Sequence, residues 1–99
     1  MSNLLTERVI DIDNIETLME LFGSFDQNVK FIEEEVGVQV IARGTQLCII
    51  GEEADVKLTT NVIHKLLDMI RNNEPLDISR IGYAIQLARS GKDAVIREL

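Results

Sequence analysis

Residues 22–40, FGSFDQNVKFIEEEVGVQV, decide the fold. Gly23 predicts the end of one helix, because glycine tolerates the left-handed backbone with which many helices end. A second helix restarts almost at once, with Ser24 or Asp26 as its cap. Its apolar positions recur at helical spacing and predict a buried stripe of Val29, Ile32 and Val36. Gly37 ends this helix, and the β-branched residues after it begin a strand.

The residues before this stretch predict a strand and a helix. Residues 7–13 alternate, which places Ile10 and Ile12 on one face of a strand. Asp13 and Glu16 resemble a capping box at the start of the first helix. The apolar positions of that helix are Ile15, Leu18, Met19 and Phe22.

The residues after it predict a hairpin and two more helices. Residues 38–43 and 47–50 are strands joined by a turn in which Gly44 needs a positive φ. A long helix from Glu52 to about Asn72 is apolar on two sides, so it needs cover on both. A last helix, capped by Asp77 and ended by Gly91, supplies the second cover. Since strands and helices do not alternate, we expect an α+β fold: a three-stranded antiparallel sheet packed on helices.

Composition limits the function classes. The chain has 99 residues, 45% of them hydrophobic, a formal net charge of −7 and one cysteine. These values exclude a disordered chain and an internally disulfide-bonded scaffold. The sequence has neither an apolar run of membrane-spanning length nor a signal peptide. We therefore expect a single domain over residues 1–91, cytoplasmic and without a membrane partner.

Charge is distributed unevenly. Residues 1–56 hold 12 acidic and 3 basic side chains, whereas residues 57–99 hold 5 and 7. An anionic ligand would prefer the C-terminal half, although ordinary solvated faces explain the same pattern. The basic residues of the last two helices, which could hold phosphates without reading bases, are Lys57, Lys65, Arg71, Arg80 and Arg89.

Catalytic and metal chemistry lack the residues they need. His64 is the only histidine and predicts a partly exposed helix position rather than a metal ligand. Cys48 lies between apolar strand residues and predicts a buried small side chain rather than a nucleophile. The sequence contains no phosphate-binding loop, since residues 90–92 supply only a fragment of that motif. We expect no catalytic residue, cofactor or metal in this chain.

Two further groups leave alternatives open. The three glutamates at 33–35 either attract a cation or a basic partner or form a solvated helix face. Phe25 and Phe31 either form a contact patch for a neighbouring domain or subunit, or pack within the fold.

The order of elements and the loop at 23–26 resemble type I KH (K-homology) domains. Those domains carry a hydrophobic-Gly-x-x-Gly loop between two helices, and Gly23 matches its first glycine. The two apolar positions that follow match Val29 and Ile32, and residues 47–51 match the third strand. The resemblance covers roughly residues 7–72 and implies a KH-like fold.

A second resemblance covers almost the whole chain. Residues 22–28, 32–38, 42–44 and 51–53, with the tail YAIQLAR at 83–89, are similar to the N-terminal domain of PhoH-like proteins. In that family the domain precedes a P-loop ATPase domain, and the proteins are linked to phosphate starvation and RNA metabolism. The resemblance implies a C-terminal ATPase domain as partner, with ATP and magnesium bound there and residues 92–99 starting the linker.

The loop departs from the KH pattern at its second glycine, which is Asp26 in the run Gly23, Ser24, Phe25, Asp26. A KH loop clamps about four nucleotides through its backbone. Asp26 would cap the helix amides and repel a phosphate, by about 1 kcal/mol at about 4 Å in water. Residues 13–43 hold 7 acidic side chains and 2 basic ones, Lys30 and Arg43. The candidate phosphate contacts are Lys30, Arg43, Lys57 and Lys65, and we expect weak RNA binding at most.

Two functions fit these features. One is a non-catalytic KH-like auxiliary domain of a PhoH-like ATP-binding protein that aids RNA engagement or assembly of the ATPase. The other is a docking or oligomerisation module without nucleic-acid binding, in which Phe25 and Phe31 contact the ATPase domain or a second copy. The sequence offers no acid/base pair and no activated nucleophile, so it does not support a free-standing enzyme.

Overall fold

Three strands form one antiparallel sheet. The computed structural model describes residues 5–91. Its strands are β1 (Thr6–Asp11), β2 (Gln39–Arg43) and β3 (Gln46–Gly51), and β3 lies in the middle, in the order β1–β3–β2. Cross-strand pairs such as Ile10–Leu47 and Val40–Ile49 place the helix-facing residues of the three strands side by side.

In the described part of the chain, four α-helices accompany the sheet: α1 (Ile15–Phe22), α2 (Gln27–Ile32), α3 (Glu53–Arg71) and α4 (Ile78–Ser90). The resulting order, strand, helix, helix, strand, strand, helix and an extra helix, is the predicted one. The α+β, KH-like fold class is therefore confirmed. The predicted linker at 92–99 lies outside the described residues.

One apolar core joins the sheet to the helices. Leu47 and Ile49 of β3 are fully buried, because strand alternation points them both at the helical side. The core residues contributed by α3 and α4 include Val56, Val62, Ile63, Leu66, Ile81 and Ile85. α4 packs along α3, so the prediction that a last helix covers the second apolar side of α3 is confirmed.

α1 differs from its prediction in its cap and in its buried face. Asn14, not Asp13, precedes the helix, and its side-chain Oδ1 accepts a hydrogen bond from the Thr17 N–H at 2.8 Å. Leu18 is buried as predicted, but Ile15 and Met19 are exposed. The helix therefore turns part of its apolar surface away from the core.

The second helical segment is less regular than predicted. Residues Ser24–Asp26 form a 3₁₀ turn, α2 follows, and Glu33–Gly37 form a π-helical turn before β2. Val29 and Ile32 are buried as expected, whereas Val36 is only half-buried. The wider π turn moves the end of the segment away from the stripe that regular spacing predicts.

The remaining helix ends follow the sequence signals. Asp77 accepts a hydrogen bond from the Arg80 N–H at 2.9 Å and caps α4, and Gly91 ends it with a φ of 75°. Within residues 5–91, no helix combines the length and apolar character needed to cross a bilayer.

Candidate functional site

An apolar groove lies where α1, the loop at 23–26 and β2 meet. Its volume is about 210 Å³. The residues that line it are Leu18, Met19, Phe22, Gly23, Asp26 and Ala42. Asp26 is the one charged residue in this lining, so the groove is apolar with a single negative rim.

The loop holds Phe25 out into solvent. Gly23 has a φ of 79°, and the non-glycine residues Phe25 and Asp26 also have positive φ values, 52° and 59°. Left-handed backbone is unfavourable for such residues and is found where the surroundings impose it. The Phe25 side chain is 93% exposed, which is unusual for an aromatic ring. The loop thus presents an aromatic side chain beside the groove.

The predicted cap by Asp26 is wrong. Asp26 does precede α2, but in a left-handed conformation, and its side chain makes no capping hydrogen bond. Its own N–H donates to the Gly23 carbonyl at 3.1 Å. The Asp26 carboxylate thus makes no hydrogen bond with the first amides of α2, and Asp26 adds a negative charge to the lining of the groove.

Asn28 packs beneath the loop, a role that was not predicted from the sequence. The residue is only 2% exposed and lies against Gly23. Among the described residues, its Oδ1 atom has no hydrogen-bond partner. A polar residue one position before an apolar stripe could have signalled this support.

The four predicted phosphate contacts do not come together. Lys30 is exposed on α2, and Arg43 pairs with Gln46 at the end of β2. Lys57 and Lys65 line two separate depressions along α3. None of the four lines the groove, so the structure assembles no basic site there.

Carboxylates instead surround α1. A polar cavity of about 380 Å³ lies on the side of α1 that carries Glu16 and Glu20. Asp11 and Asp13 also line it, with Arg71 as its one basic residue. The groove and this cavity share α1, so the exposed side of that helix is flanked by negative charge.

Comparison with known proteins identifies relatives of one kind. A PhoH-like protein of Bacillus subtilis is 24% identical over 81 residues, which make up 82% of this chain. PhoH-like proteins of Mycobacterium tuberculosis and Mycobacterium bovis are 25% identical over 72 residues, or 73% of the chain. The chain is related to the PhoH-like proteins. The aligned part is 25% of the Bacillus subtilis protein and 20% of the mycobacterial ones, so the chain spans a quarter or less of their length. No family model and no solved structure matches.

The two phenylalanines have different environments. Phe31 is half-buried and packs against the core, and its ring lies over Gly82 of α4. A Cβ atom at Gly82 would be 3.5 Å from Phe31 Cζ. Phe31 therefore joins α2 to α4, and of the predicted contact pair only Phe25 presents its ring to solvent.

The three glutamates at 33–35 also differ in their environments. Glu33 accepts a hydrogen bond from the Val40 N–H through Oε2 at 2.8 Å. The Glu35 carbonyl accepts one from Arg89 Nη2 at 2.6 Å, while Glu34 is exposed. Two of the three thus have structural contacts, which neither sequence interpretation of this run included.

The histidine and the cysteine of this chain lie on different elements of the fold. His64 is exposed on α3 and Cys48 is buried in β3, both as predicted. Within residues 5–91, no group of three or more histidine, cysteine or acidic side chains could hold a metal ion.

Proposed function

We propose that this chain is a non-catalytic KH-like docking domain of a PhoH-like protein, and that its groove takes a protein segment. The observation that carries the proposal is the exposed Phe25, held by left-handed backbone beside an apolar groove. Exposed aromatic residues beside apolar pockets are typical anchors of protein interfaces. The ATPase domain implied by the PhoH resemblance is the partner we propose, and ATP and magnesium belong to that domain.

Charge supports a protein partner over RNA. A polyanion would meet Asp26 at the groove and the carboxylates of Glu16 and Glu20 along α1. Charges of like sign repel along the whole path of approach. A segment with one large apolar side chain flanked by lysine or arginine would match both the groove and its rim.

The proposal is tested by titrating the ¹⁵N-labelled chain with two probes. One is a short amphipathic peptide of leucine and lysine, and the other is a ten-nucleotide single-stranded RNA. We expect the peptide to shift amide signals around Gly23 and Ala42. Phe25→Ser should weaken peptide binding about tenfold, because it removes the anchor. Tyr83→Ser is the matched control, since Tyr83 is an exposed aromatic residue on α4, away from the loop.

The titration with RNA distinguishes protein docking from RNA binding at the groove. We expect no RNA-induced shifts at the groove, even at low salt, where phosphate contacts are strongest. Asp26→Gly restores the KH loop pattern and removes the negative charge, so it should weaken the peptide complex. Groove shifts caused by RNA in the unsubstituted chain, or equal peptide affinity in Phe25→Ser and Tyr83→Ser, would overturn the proposal.

A further inference from the structure

Within residues 5–91, the helices cover only one face of the sheet. Strand alternation points Ile10, Val40 and Leu47 at the helices, so the intervening residues point to the opposite side. Cross-strand register arranges these outward residues in three rows. The rows are Glu7–Ile50–Gln39, Val9–Cys48–Ile41 and Asp11–Gln46–Arg43. We call this set of nine residues the open face.

The middle row of the open face is entirely apolar. Val9 is 47% exposed and Ile41 is 37% exposed, and Cys48 between them is 2% exposed. Isolated apolar side chains on a surface are normal, but Val9 and Ile41 lie on either side of the nearly buried Cys48, so the exposed apolar surface of this row comes from its two ends. Charged or polar residues border the apolar row at its four corners and at Gln46, while Ile50 extends the apolar surface along β3.

The third row carries opposite charges at its two ends. Asp11 lies on β1 and Arg43 on β2, with Gln46 between them. Gln46 Nε2 donates a hydrogen bond to Asp11 Oδ1 at 3.0 Å, which fixes the carboxylate on this face. The row therefore presents one negative and one positive end on either side of the central strand.

We propose that the open face binds the open face of a second copy of this chain, around a two-fold axis parallel to β3. Such an axis exchanges the β1 and β2 sides but keeps positions along the strands. It places Asp11 opposite Arg43 of the second copy, twice by symmetry, and Val9 opposite Ile41. The face is thus complementary to itself in both charge and apolar contact.

A two-fold axis perpendicular to β3 in the plane of the interface does not give this charge complementarity. An axis across the strands, through the apolar row, keeps the sides but reverses positions along the strands. Asp11 would then face Glu7 of the second copy, twice, and these like charges repel. Charge therefore selects one orientation, while sheet packing allows an angle of about 30° between facing strands.

The size of the face sets the strength of the dimer. Three strands and about five residues each give a footprint of roughly 14 by 17 Å. This is much smaller than the roughly 800 Å² that each partner buries in a standard interface. We expect a weak dimer, with a dissociation constant on the order of 0.1 mM. It uses none of the groove residues, so it stands independently of the proposed docking function.

The test is sedimentation equilibrium of the full chain between about 20 µM and about 2 mM. We expect concentration-dependent dimerisation. Asp11→Arg and Arg43→Asp should each raise the dissociation constant about tenfold, because symmetry replaces two ion pairs with two repulsions. The double variant Asp11→Arg/Arg43→Asp should restore it. Glu34→Arg is the control for a charge change on an exposed helical position, and thermal melts report folding of each variant.

Each other outcome overturns the proposal. A chain that stays monomeric at the highest concentration has no such interface. A double variant no better than the single ones excludes the Asp11–Arg43 contact between copies. Val9→Thr keeps the β-branched shape and should weaken the dimer, so an unchanged constant also contradicts the model of an apolar row. Loss of the dimer in Phe25→Ser would assign it to the groove instead.

Discussion

Gly23 lies directly against the side-chain amide of Asn28. A Cβ atom added to Gly23 would come within 2.6 Å of Asn28 Nδ2 and 2.8 Å of Cγ. Because Asn28 is buried, its amide has little room to withdraw. The first position of the loop therefore needs glycine for its neighbour as well as for its positive φ.

Gly23→Ala should lower the free energy of unfolding by about 2 kcal/mol, since it combines left-handed strain with a steric clash. Urea denaturation measures the loss. Gly44→Ala is the control, because Gly44 has a φ of 62° and open space where a Cβ would lie. That variant should lose about 1 kcal/mol. Equal losses in the two variants would show that the contact with Asn28 has no energetic effect.

Two neighbouring threonines of α3 should respond oppositely to valine. Thr59 is buried, and among residues 5–91 its hydroxyl has no hydrogen-bond partner. Thr59→Val keeps the shape and removes that hydroxyl, so it should raise the free energy of unfolding by up to about 1 kcal/mol. The Thr60 hydroxyl donates to the Val56 carbonyl at 2.7 Å, and Thr60→Val should lower stability by about 1 kcal/mol. Thermal melts measure both changes in stability. A change of the same sign in the two variants would contradict this prediction.

Glu33 should matter more to the fold than Glu34 beside it. Glu33→Ala leaves the Val40 N–H without its carboxylate, which should cost about 1–2 kcal/mol of stability. Hydrogen exchange of the Val40 amide should accelerate in that variant. Glu34→Ala, at an exposed position, should change neither quantity. If the exchange rate of the Val40 amide is the same in Glu33→Ala, the Glu33 carboxylate does not protect that amide.

The Asp77 cap of α4 makes the stability of the protein depend on pH in the acidic range. The backbone N–H of Arg80 is the main cause that holds the pKa of the Asp77 carboxyl below its ordinary value. A carboxyl whose pKa is lower in the folded state adds stability above its unfolded pKa, and that stability is lost as the pH falls through the folded pKa. The melting temperature should therefore fall between about pH 5 and about pH 2, and less steeply in Asp77→Asn. Parallel pH profiles of the two proteins would contradict this.

The overall fold follows from short-range signals in the sequence. Gly23, Gly44 and Gly91 have positive φ values and mark the turns and helix ends that were predicted from them. Alternation in residues 7–12 placed Ile10 and Ile12 correctly, because one face of a strand is buried and the other is not. These features depend on neighbours within a few positions, which a sequence displays directly.

The roles of individual side chains were harder to predict, because they depend on tertiary contacts and on local backbone conformation. The carboxylate of Glu33 bonds to an amide seven positions away, and Arg89 reaches Glu35 across 54 positions. Aspartate is a common N-cap residue, but Asp26 has a left-handed backbone and makes no capping hydrogen bond. Periodicity alone could not show that Phe31 packs over Gly82 while Phe25 lies in solvent.

The hydrogen bond that the Val40 N–H donates to Glu33 also affects whether another strand can add to the sheet. β2 is an edge strand, and the outward N–H of Val40 is already occupied by a carboxylate. A foreign strand that adds to this edge must displace that carboxylate and desolvate its charge. Strand exchange and fibril growth are therefore less favourable at this edge, because each requires the Glu33 carboxylate to leave the Val40 amide.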